Sequence, residues 1–222
     1  MVDNTFGWRR EPVRVTVRSL AWSSVPSRPL VLASASPARL RLLRDAGFDP
    51  RVVVSGVDED DVRSDDPAGM VRVLAERKAT AVAGRLSADE VVVGCDSMLV
   101  LDGDVLGKPA SADEAVRRWD RMRGRTGTLM TGHCVVDVAH DRSVADVAAT
   151  EVRFGRPTDA EVQAYVATGE PLHVAGAFTL DGRSAPFVDG IDGDPSNVIG
   201  LSLPLLRALL ARLDVEVTAL WR

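Results

Sequence analysis

Short valine-rich apolar runs alternate along the chain with segments whose apolar residues recur at helical spacing. The runs predict strands at 30–33, 51–55, 90–94, 98–101, 129–138, 147–154 and 174–180. The sequence "LDGD" at 101–104 places Asp-Gly between apolar flanks, which predicts a β-hairpin. Strands that alternate with helices in this way are typical of an α/β fold.

Capping residues mark the predicted helices. Ser36 and Pro37 begin one helix, and Gly47 lies just past its end. A second helix begins at Asp66-Pro67 and runs to about 84. The sequences "SADE" at 111–114 and "TDAE" at 158–161 are typical of capping boxes, and the helices that they begin end at about 124 and 169. The last helix begins near Ser202 and carries a leucine stripe predicted to be buried.

The size and composition of the chain favour one globular domain. The chain has 222 residues, of which 45% are hydrophobic and 27% charged. The region 1–28 is predicted to be a poorly ordered N-terminal extension, followed by a single domain over 29–222. The region 1–28 lacks the continuous apolar core of a secretory signal, so we do not expect it to be one. No apolar run approaches the roughly 20 residues that a membrane span needs, so we expect no membrane association.

Charge and cysteine content narrow the function classes further. The net charge of −5 argues against stable nucleic-acid binding, which normally needs a basic surface. The 2 cysteines form no CxxC motif and no disulfide framework, which predicts a cytoplasmic protein.

The stretch "LVLASASPARLRLL" at 30–43 ends a strand and begins a helix. It has two interpretations from the residues alone. One is a capped helix with a surface arginine, Arg39. The other is an anion site, in which the helix N-terminus, the hydroxyls of Ser34 and Ser36, and Arg39 bind a negative ligand.

Three further segments carry candidate chemistry. The acidic run at 55–66, "SGVDEDDVRSDD", is either a solvated loop or a source of Mg²⁺ ligands. Lys78 lies on the apolar stripe of its helix, so its side chain either extends to solvent or enters a pocket. Asp96 interrupts an apolar stretch where a strand could end, and we interpret it as functional rather than as a turn cap.

The sequence "GDVLGKP" at 103–109 superficially resembles a P-loop, but it is one residue too short between its glycines and has Pro109 where Mg²⁺ binding needs Ser or Thr. What remains is Lys108, which can contact a phosphate as a point charge. His133, His140 and His173 show no ligand spacing and are predicted to be structural.

Together, the cations Arg39, Lys78 and Lys108 with the carboxylates of Asp96 and of Glu59 and its neighbours form a set suited to a polyphosphate and Mg²⁺. The ordered segments "SASPARLRLL", "VDED", "LAERKA", "GCDSMLVLDGDVLGKP", "GRTGTLMTGH", "EVQAYVATGEPLHVAGAFTLDG" and "IDGDPSNVIGLSLPLL" resemble the Maf family of nucleotide pyrophosphatases, especially its actinobacterial members. The resemblance extends from about 30 to 213.

This resemblance implies a fold, an activity and a set of roles. The fold would be a mixed twisted sheet with flanking helices, in two lobes around a deep cleft, and homodimers are common in the family. The reaction would be hydrolysis of a nucleoside triphosphate to the monophosphate and pyrophosphate, with Mg²⁺ or Mn²⁺, and the family is associated with septum formation and with removal of non-standard nucleotides.

The family's motifs also assign residues. Asp96 would be the proton acceptor and, with Glu59, would bind the metal. Lys78 and Lys108 would be catalytic. Ser34, Ser36 and Arg39 would bind the substrate.

The chain departs from the family pattern at Ala38, Gly127 and Asp181, which bears on base specificity more than on the reaction. Two alternatives remain: a nucleotide-sensing regulator of septation without turnover, and a kinase or nucleotidyl transferase that uses the same phosphate-binding residues.

Overall fold

A computed structural model describes residues 28–59, 66–86 and 89–222. The strands are β1 Leu30–Leu32, β2 Arg51–Val52, β3 Val91–Leu101, β4 Asp104–Leu106, β5 Thr126–Asp137, β6 Arg142–Phe154 and β7 Val188–Asp192. The helices are α1 Pro37–Asp45, α2 Pro67–Ala83, α3 Ala112–Met122, α4 Asp159–Val166, α5 Pro195–Ile199 and α6 Leu203–Arg212. The predicted N-terminal extension over 1–28 lies almost wholly outside the described residues and stays a prediction.

The strands form one mixed sheet in the order β2-β1-β3-β5-β6-β7, with β4 paired to β3. β1 runs parallel to β2 and β3, whereas the pairs β3–β5, β5–β6 and β6–β7 are antiparallel. The mixed α/β sheet with flanking helices is therefore confirmed. Among the described residues, no helix has both the length and the apolar character to cross a membrane.

The helix boundaries follow the predicted caps. The side chains of Ser36, Asp66, Ser111, Thr158 and Ser202 each accept a hydrogen bond from a backbone N–H in the first turn of the helix that they begin. The capping box at 158–161 is complete. In the segment 111–114, Glu114 accepts a hydrogen bond from the N–H of Ala110 and not from that of the cap residue, Ser111. The capping box predicted there is therefore only half formed.

The structure corrects the predicted strands in two places. Residues 90–94 and 98–101 do not form separate strands, because β3 continues through Asp96, which therefore lies mid-strand rather than at a strand end. No strand covers 174–180 either. There Gly176 and Ala177 have φ of 66° and 61°, and the segment turns in 3₁₀ geometry. It packs its apolar residues under α3, where Trp119 Nε1 donates a hydrogen bond to Ala177 O at 3.0 Å.

α2 lies directly on the sheet because two glycines leave room for its backbone. A Cβ at Gly132 would lie 2.1 Å from Val71 O, and one at Gly94 would lie 2.5 Å from Ala75 O. Gly132 pairs with Asp96 across β3 and β5, so both face α2. This close packing brings the Lys78 side chain of α2 onto the same level of the sheet as Asp96.

The opposite face of the sheet carries two apolar clusters. One packs α1 and α6 on the first half of β3, through Val91, Val93 and Cys95. The other packs α3 and α4 on the second half, through Leu99 and Leu101. Ser97 lies between the two halves, at a level where both faces of the sheet are polar.

Candidate active site

The candidate site lies at a gap along one edge of β3. On that edge β1 pairs with Val91–Val93 and β4 pairs with Leu99–Leu101. Within the described part of the chain, no strand pairs with residues 94–98 there, although β5 pairs with them on the other edge. The backbone and side chains of this interval are therefore available to the residues of α1, α2 and the segment after β2.

Lys78 joins two carboxylates at this gap. Its ammonium Nζ lies 2.5 Å from Asp96 Oδ1 and 2.6 Å from Glu59 Oε1. The side chains of Lys78 and Asp96 are both 8% exposed, and that of Glu59 is 50% exposed. Of the two interpretations for Lys78, the structure shows the pocket and not the extension to solvent. We call Glu59, Lys78 and Asp96 the ion cluster.

The two carboxylates of the ion cluster differ in the direction of their pKa shift. Burial raises the pKa of Asp96, and the opposing charge of Lys78 only partly offsets it. Burial also works to raise the pKa of Glu59, but the hydrogen bond and charge of Lys78, with the charges of Lys108 and Arg39, outweigh it and lower that pKa. The pKa values of the two carboxylates are therefore shifted in opposite directions.

Arg39 is not the surface arginine of the first interpretation, because it is only 9% exposed. Its Nε donates to Gly200 O at 2.7 Å, and its Nη1 donates to Ser34 Oγ at 3.0 Å and to Cys95 O at 2.9 Å. Its Nη2 donates to Ser97 Oγ at 2.9 Å. These bonds use four of the five N–H groups of the guanidinium, so one N–H of Nη2 remains for a ligand.

The charge of Arg39 has no direct counter-ion. No carboxylate of the described residues forms an ion pair with it, although Asp96 and Glu59 feel its charge at longer range. A buried cation bonded only to carbonyl and hydroxyl oxygens attracts an anion. The structure therefore supports the second interpretation of the 30–43 stretch.

The N-terminus of α1 lies next to Arg39 and has few donors left. Ser34 Oγ accepts from Ser36 N at 3.2 Å as well as from Arg39, and Ser36 Oγ accepts from Arg39 N at 3.4 Å. Both hydroxyl hydrogens are thus left for another acceptor. The N–H of Ala38 has no partner among the described residues, and Pro37 has no N–H. An anion at this helix start would meet two hydroxyls and one backbone N–H.

Lys108 is exposed and follows β4. It forms no ion pair within the described residues, yet its charge lowers the pKa of Glu59, which places it in the field of the site. Of the acidic run at 55–66, Glu59 reaches the ion cluster, and residues 60–65 lie outside the described residues.

Two of the three departures from the family pattern involve α1, since Ala38 lies in it and Asp181 contacts it. Asp181 accepts a hydrogen bond from Arg41 at 2.9 Å, and this ion pair joins α1 to the turn after residue 180. Gly127 lies on β5 and packs against Leu99, in the second apolar cluster.

The structure supports the prediction that His133 is structural. It is fully buried, its Nδ1 lies 2.9 Å from Thr131 O, and its Nε2 accepts from Ser202 N at 2.8 Å. Since Nε2 is the acceptor, Nδ1 carries the proton. Both ring nitrogens are thus engaged by the backbone, and burial lowers the pKa of His133 to about 4.

Ser97 and Thr131 contact the site but were not among the predicted site residues. Ser97 Oγ lies 2.9 Å from Thr131 Oγ1, which donates to Asn197 O at 3.3 Å. The signal for them is a pair of polar interruptions between apolar residues, Asp96-Ser97 in one predicted strand region and Thr131-Gly132 in another. Only the register of β3 and β5, which pairs Ser97 with Thr131, shows that these interruptions meet.

Comparison with known proteins places this geometry in a family. The family described as "Maf-like protein" matches residues 29–213. The nucleoside triphosphate pyrophosphatase of Streptomyces coelicolor is 64% identical over 197 residues, which cover 88% of this chain and 96% of the relative. That of Thermosynechococcus vestitus is 52% identical over 185 residues, or 83% and 93% of the two chains. A solved nucleoside-triphosphatase / dITP/XTP pyrophosphatase of Mycobacterium abscessus aligns with a TM-score of 0.39 and 14% identity over 83% of this chain and 94% of that one. On the first three matches, the chain belongs to the Maf family.

Proposed function

We propose that this chain hydrolyses nucleoside triphosphates to the monophosphate and pyrophosphate. The observation that carries the proposal is the buried carboxylate of Asp96, bonded to Lys78 and within the field of Arg39, with which no carboxylate of the described residues forms an ion pair. The names of its Maf relatives point to the same reaction. Hydrolysis of a phosphoric anhydride needs charge neutralisation and a positioned water rather than covalent chemistry by the protein.

Asp96 is the group that takes the proton from the attacking water. Its Oδ1 is bonded to Lys78, whereas Oδ2 accepts no hydrogen bond from the described residues. The raised pKa makes Asp96 a stronger base than an ordinary aspartate, which favours proton transfer at neutral pH. As the water oxygen bonds to the α-phosphorus, the bond from that phosphorus to the bridging oxygen breaks, and pyrophosphate leaves with the electron pair.

The triphosphate is bound by groups that have donors or charge to spare. These are Lys108, the remaining N–H of Arg39, the hydroxyls of Ser34 and Ser36, and the N-terminus of α1. Lys78 has a different role, because its charge is already balanced by Asp96 and Glu59. It holds the two carboxylates in place and limits how far the pKa of Asp96 rises.

The ion cluster fits a divalent cation, Mg²⁺ or Mn²⁺. Asp96 and Glu59 both contact Lys78 Nζ, so their carboxylates lie side by side, and Mg²⁺ commonly takes one or two carboxylates with substrate phosphates and water. Within the described ranges, no group of three or more His, Cys, Asp or Glu side chains could hold an ion, so substrate and water would complete the coordination. Bound there by Asp96 and Glu59, the ion would neutralise phosphate charge and favour ionisation of water.

The test is a pyrophosphate-release assay over standard and modified nucleoside triphosphates, with Mg²⁺, with Mn²⁺ and with chelator. We expect one pyrophosphate for each monophosphate, with no added acceptor. Hydrolysis in ¹⁸O-labelled water should place the label in the monophosphate, which reports attack on the α-phosphorus. Binding without turnover would favour the nucleotide sensor. A requirement for an acceptor would favour the kinase or transferase, and either result would refute the proposal.

A further inference from the structure

Ser97 and Thr131 form a directed chain of hydrogen bonds that ends on Arg39. Thr131 Oγ1 donates its one hydrogen to Asn197 O, so it accepts from Ser97 Oγ at 2.9 Å. The hydroxyl hydrogen of Ser97 is therefore donated to Thr131 Oγ1, and Ser97 Oγ accepts a hydrogen bond from Arg39 Nη2 at 2.9 Å. Each hydroxyl has one donor and one acceptor partner, so all the hydrogen bonds of this series point in the same direction, from Arg39 towards Asn197.

The far end of this chain is firmly anchored. Asn197 is fully buried in α5, and its Nδ2 donates to Leu129 O at 3.2 Å and to Thr150 Oγ1 at 3.0 Å. Thr131 is also fully buried. The acceptor that faces Arg39, Ser97 Oγ, is thus carried by β3 and held through β5 and α5, and not by α1, which carries the arginine.

This geometry determines where Arg39 presents its last donor. The hydrogen bond to Ser97 holds one hydrogen of Nη2 and completes the set of bonds, from Nε and Nη1 as well, that fixes the plane of the guanidinium. Because the group is planar, the direction of the second Nη2 hydrogen follows. We propose that Ser97 and Thr131 are positioning residues that aim this N–H of Arg39 at a phosphate oxygen of the substrate. The identity of the substrate in this proposal rests on the proposed function. The presence of an anion at Arg39 does not depend on it.

The test separates positioning from simple stability. Thr131→Val keeps the shape of the side chain and removes the hydroxyl, whereas Thr131→Ser keeps the hydroxyl and removes a methyl. Thr150→Val is the matched control, because Thr150 is a buried threonine of the same polar layer that bonds Asn197 and Asp194 but not Ser97. The readouts are the Kd for inorganic tripolyphosphate by calorimetry, kcat and KM for a nucleoside triphosphate, and urea unfolding.

We expect Thr131→Val to raise the Kd for tripolyphosphate and to lower kcat/KM by about tenfold each, the usual effect of weakening a hydrogen bond to a charged group. Thr131→Ser should restore both values. Thr150→Val should lose stability with a much smaller change in Kd, because Thr150 bonds the side chain of Asn197 whereas Thr131 bonds its backbone oxygen. Ser97→Ala should reproduce Thr131→Val, and it provides the same test if the valine variant does not fold.

A double-mutant cycle shows whether the effect passes through Arg39. In an Arg39→Lys background, Thr131→Val should have no further effect on Kd, because a lysine has no planar group to orient. Equal losses in both backgrounds would overturn the proposal, as would a wild-type Kd for Thr131→Val or no tripolyphosphate binding by the wild type. A wild type that binds tripolyphosphate without releasing pyrophosphate would refute the proposed function and leave the binding test intact.

Discussion

Replacement of Gly132 by alanine tests whether the site depends on the close packing of α2 against the sheet. The added Cβ would lie 2.1 Å from Val71 O and 2.7 Å from Arg72 N, both backbone atoms, whereas an ordinary contact is 3.4 Å or more. No side chain can move aside to relieve this overlap, so α2 must move away by more than about 1 Å, which loses much of the packing energy along the helix.

The matched control is Gly127→Ala on the same strand. Its Cβ would lie 3.0 Å from the flexible end of Leu99 and 3.1 Å from a backbone oxygen. We expect Gly127→Ala to cost about 1 kcal/mol of unfolding free energy, and Gly132→Ala to cost about 3 kcal/mol or more, at the upper end of overpacking effects.

Movement of α2 should also affect catalysis, because α2 carries Lys78. The Lys78–Asp96 bond of 2.5 Å would no longer be a hydrogen bond if it were lengthened by more than 1 Å. Urea unfolding followed by circular dichroism gives the stability, and pyrophosphate release by the folded fraction gives kcat/KM. A Gly132→Ala variant within 1 kcal/mol of Gly127→Ala and with wild-type kcat/KM would refute this reasoning.

The remaining predictions concern the charged groups. Asp96→Asn should keep the fold and lower kcat more than about 100-fold, since it removes the proposed base and the proposed metal ligand; near-wild-type turnover would remove Asp96 from this role. Because the base must be ionised and burial raises the pKa of Asp96, kcat/KM should rise with pH through a value above the ordinary aspartate pKa of about 3.9; a rise whose midpoint lies at or below that ordinary value would contradict this. Lys108→Ala should raise KM about tenfold at unchanged stability. The control, Arg117→Ala, removes an exposed cation from α3 and should leave KM unchanged. Burial lowers the pKa of His133 to about 4, so the unfolded chain takes up a proton there first and stability should fall as pH drops from about 6.5 to about 4, by up to about 3 kcal/mol; His133→Gln should flatten this dependence in urea unfolding.

Local sequence signals predicted the elements whose ends are set by local chemistry. The helix caps at Ser36, Asp66, Thr158 and Ser202 are where the sequence placed them, because a capping side chain bonds to backbone within its own first turn. The Asp-Gly hairpin between β3 and β4 formed for the same reason, with φ of 52° and 87° at Asp102 and Gly103.

Elements whose conformation depends on distant partners were predicted less well. The apolar segment at 174–180 has the composition of a strand, but it is buried in 3₁₀ turns against α3 and β3 instead of pairing in the sheet. β7, "VDGID", has the composition of a turn and pairs with β6 all the same. Pairing and burial depend on what the rest of the chain places nearby, which a local pattern does not record.

By itself, the sequence determined the candidate charges, the α/β class and the strand-to-helix turn that begins at Ser34. It left open whether Arg39 and Lys78 point outward or inward, since a cation on an apolar stripe has both options. Only the tertiary structure decided this, because the bonding partners lie far along the chain: Gly200 and Ser97 for Arg39, and Asp96 on a neighbouring strand for Lys78. The register of β3 and β5 then brings Ser97 to Thr131, and the bare backbone of Gly132 lets α2 approach Asp96. A charged side chain that is buried loses its hydration, and its behaviour then depends on the protein groups that it contacts in place of water. In this protein the tertiary fold supplies those groups.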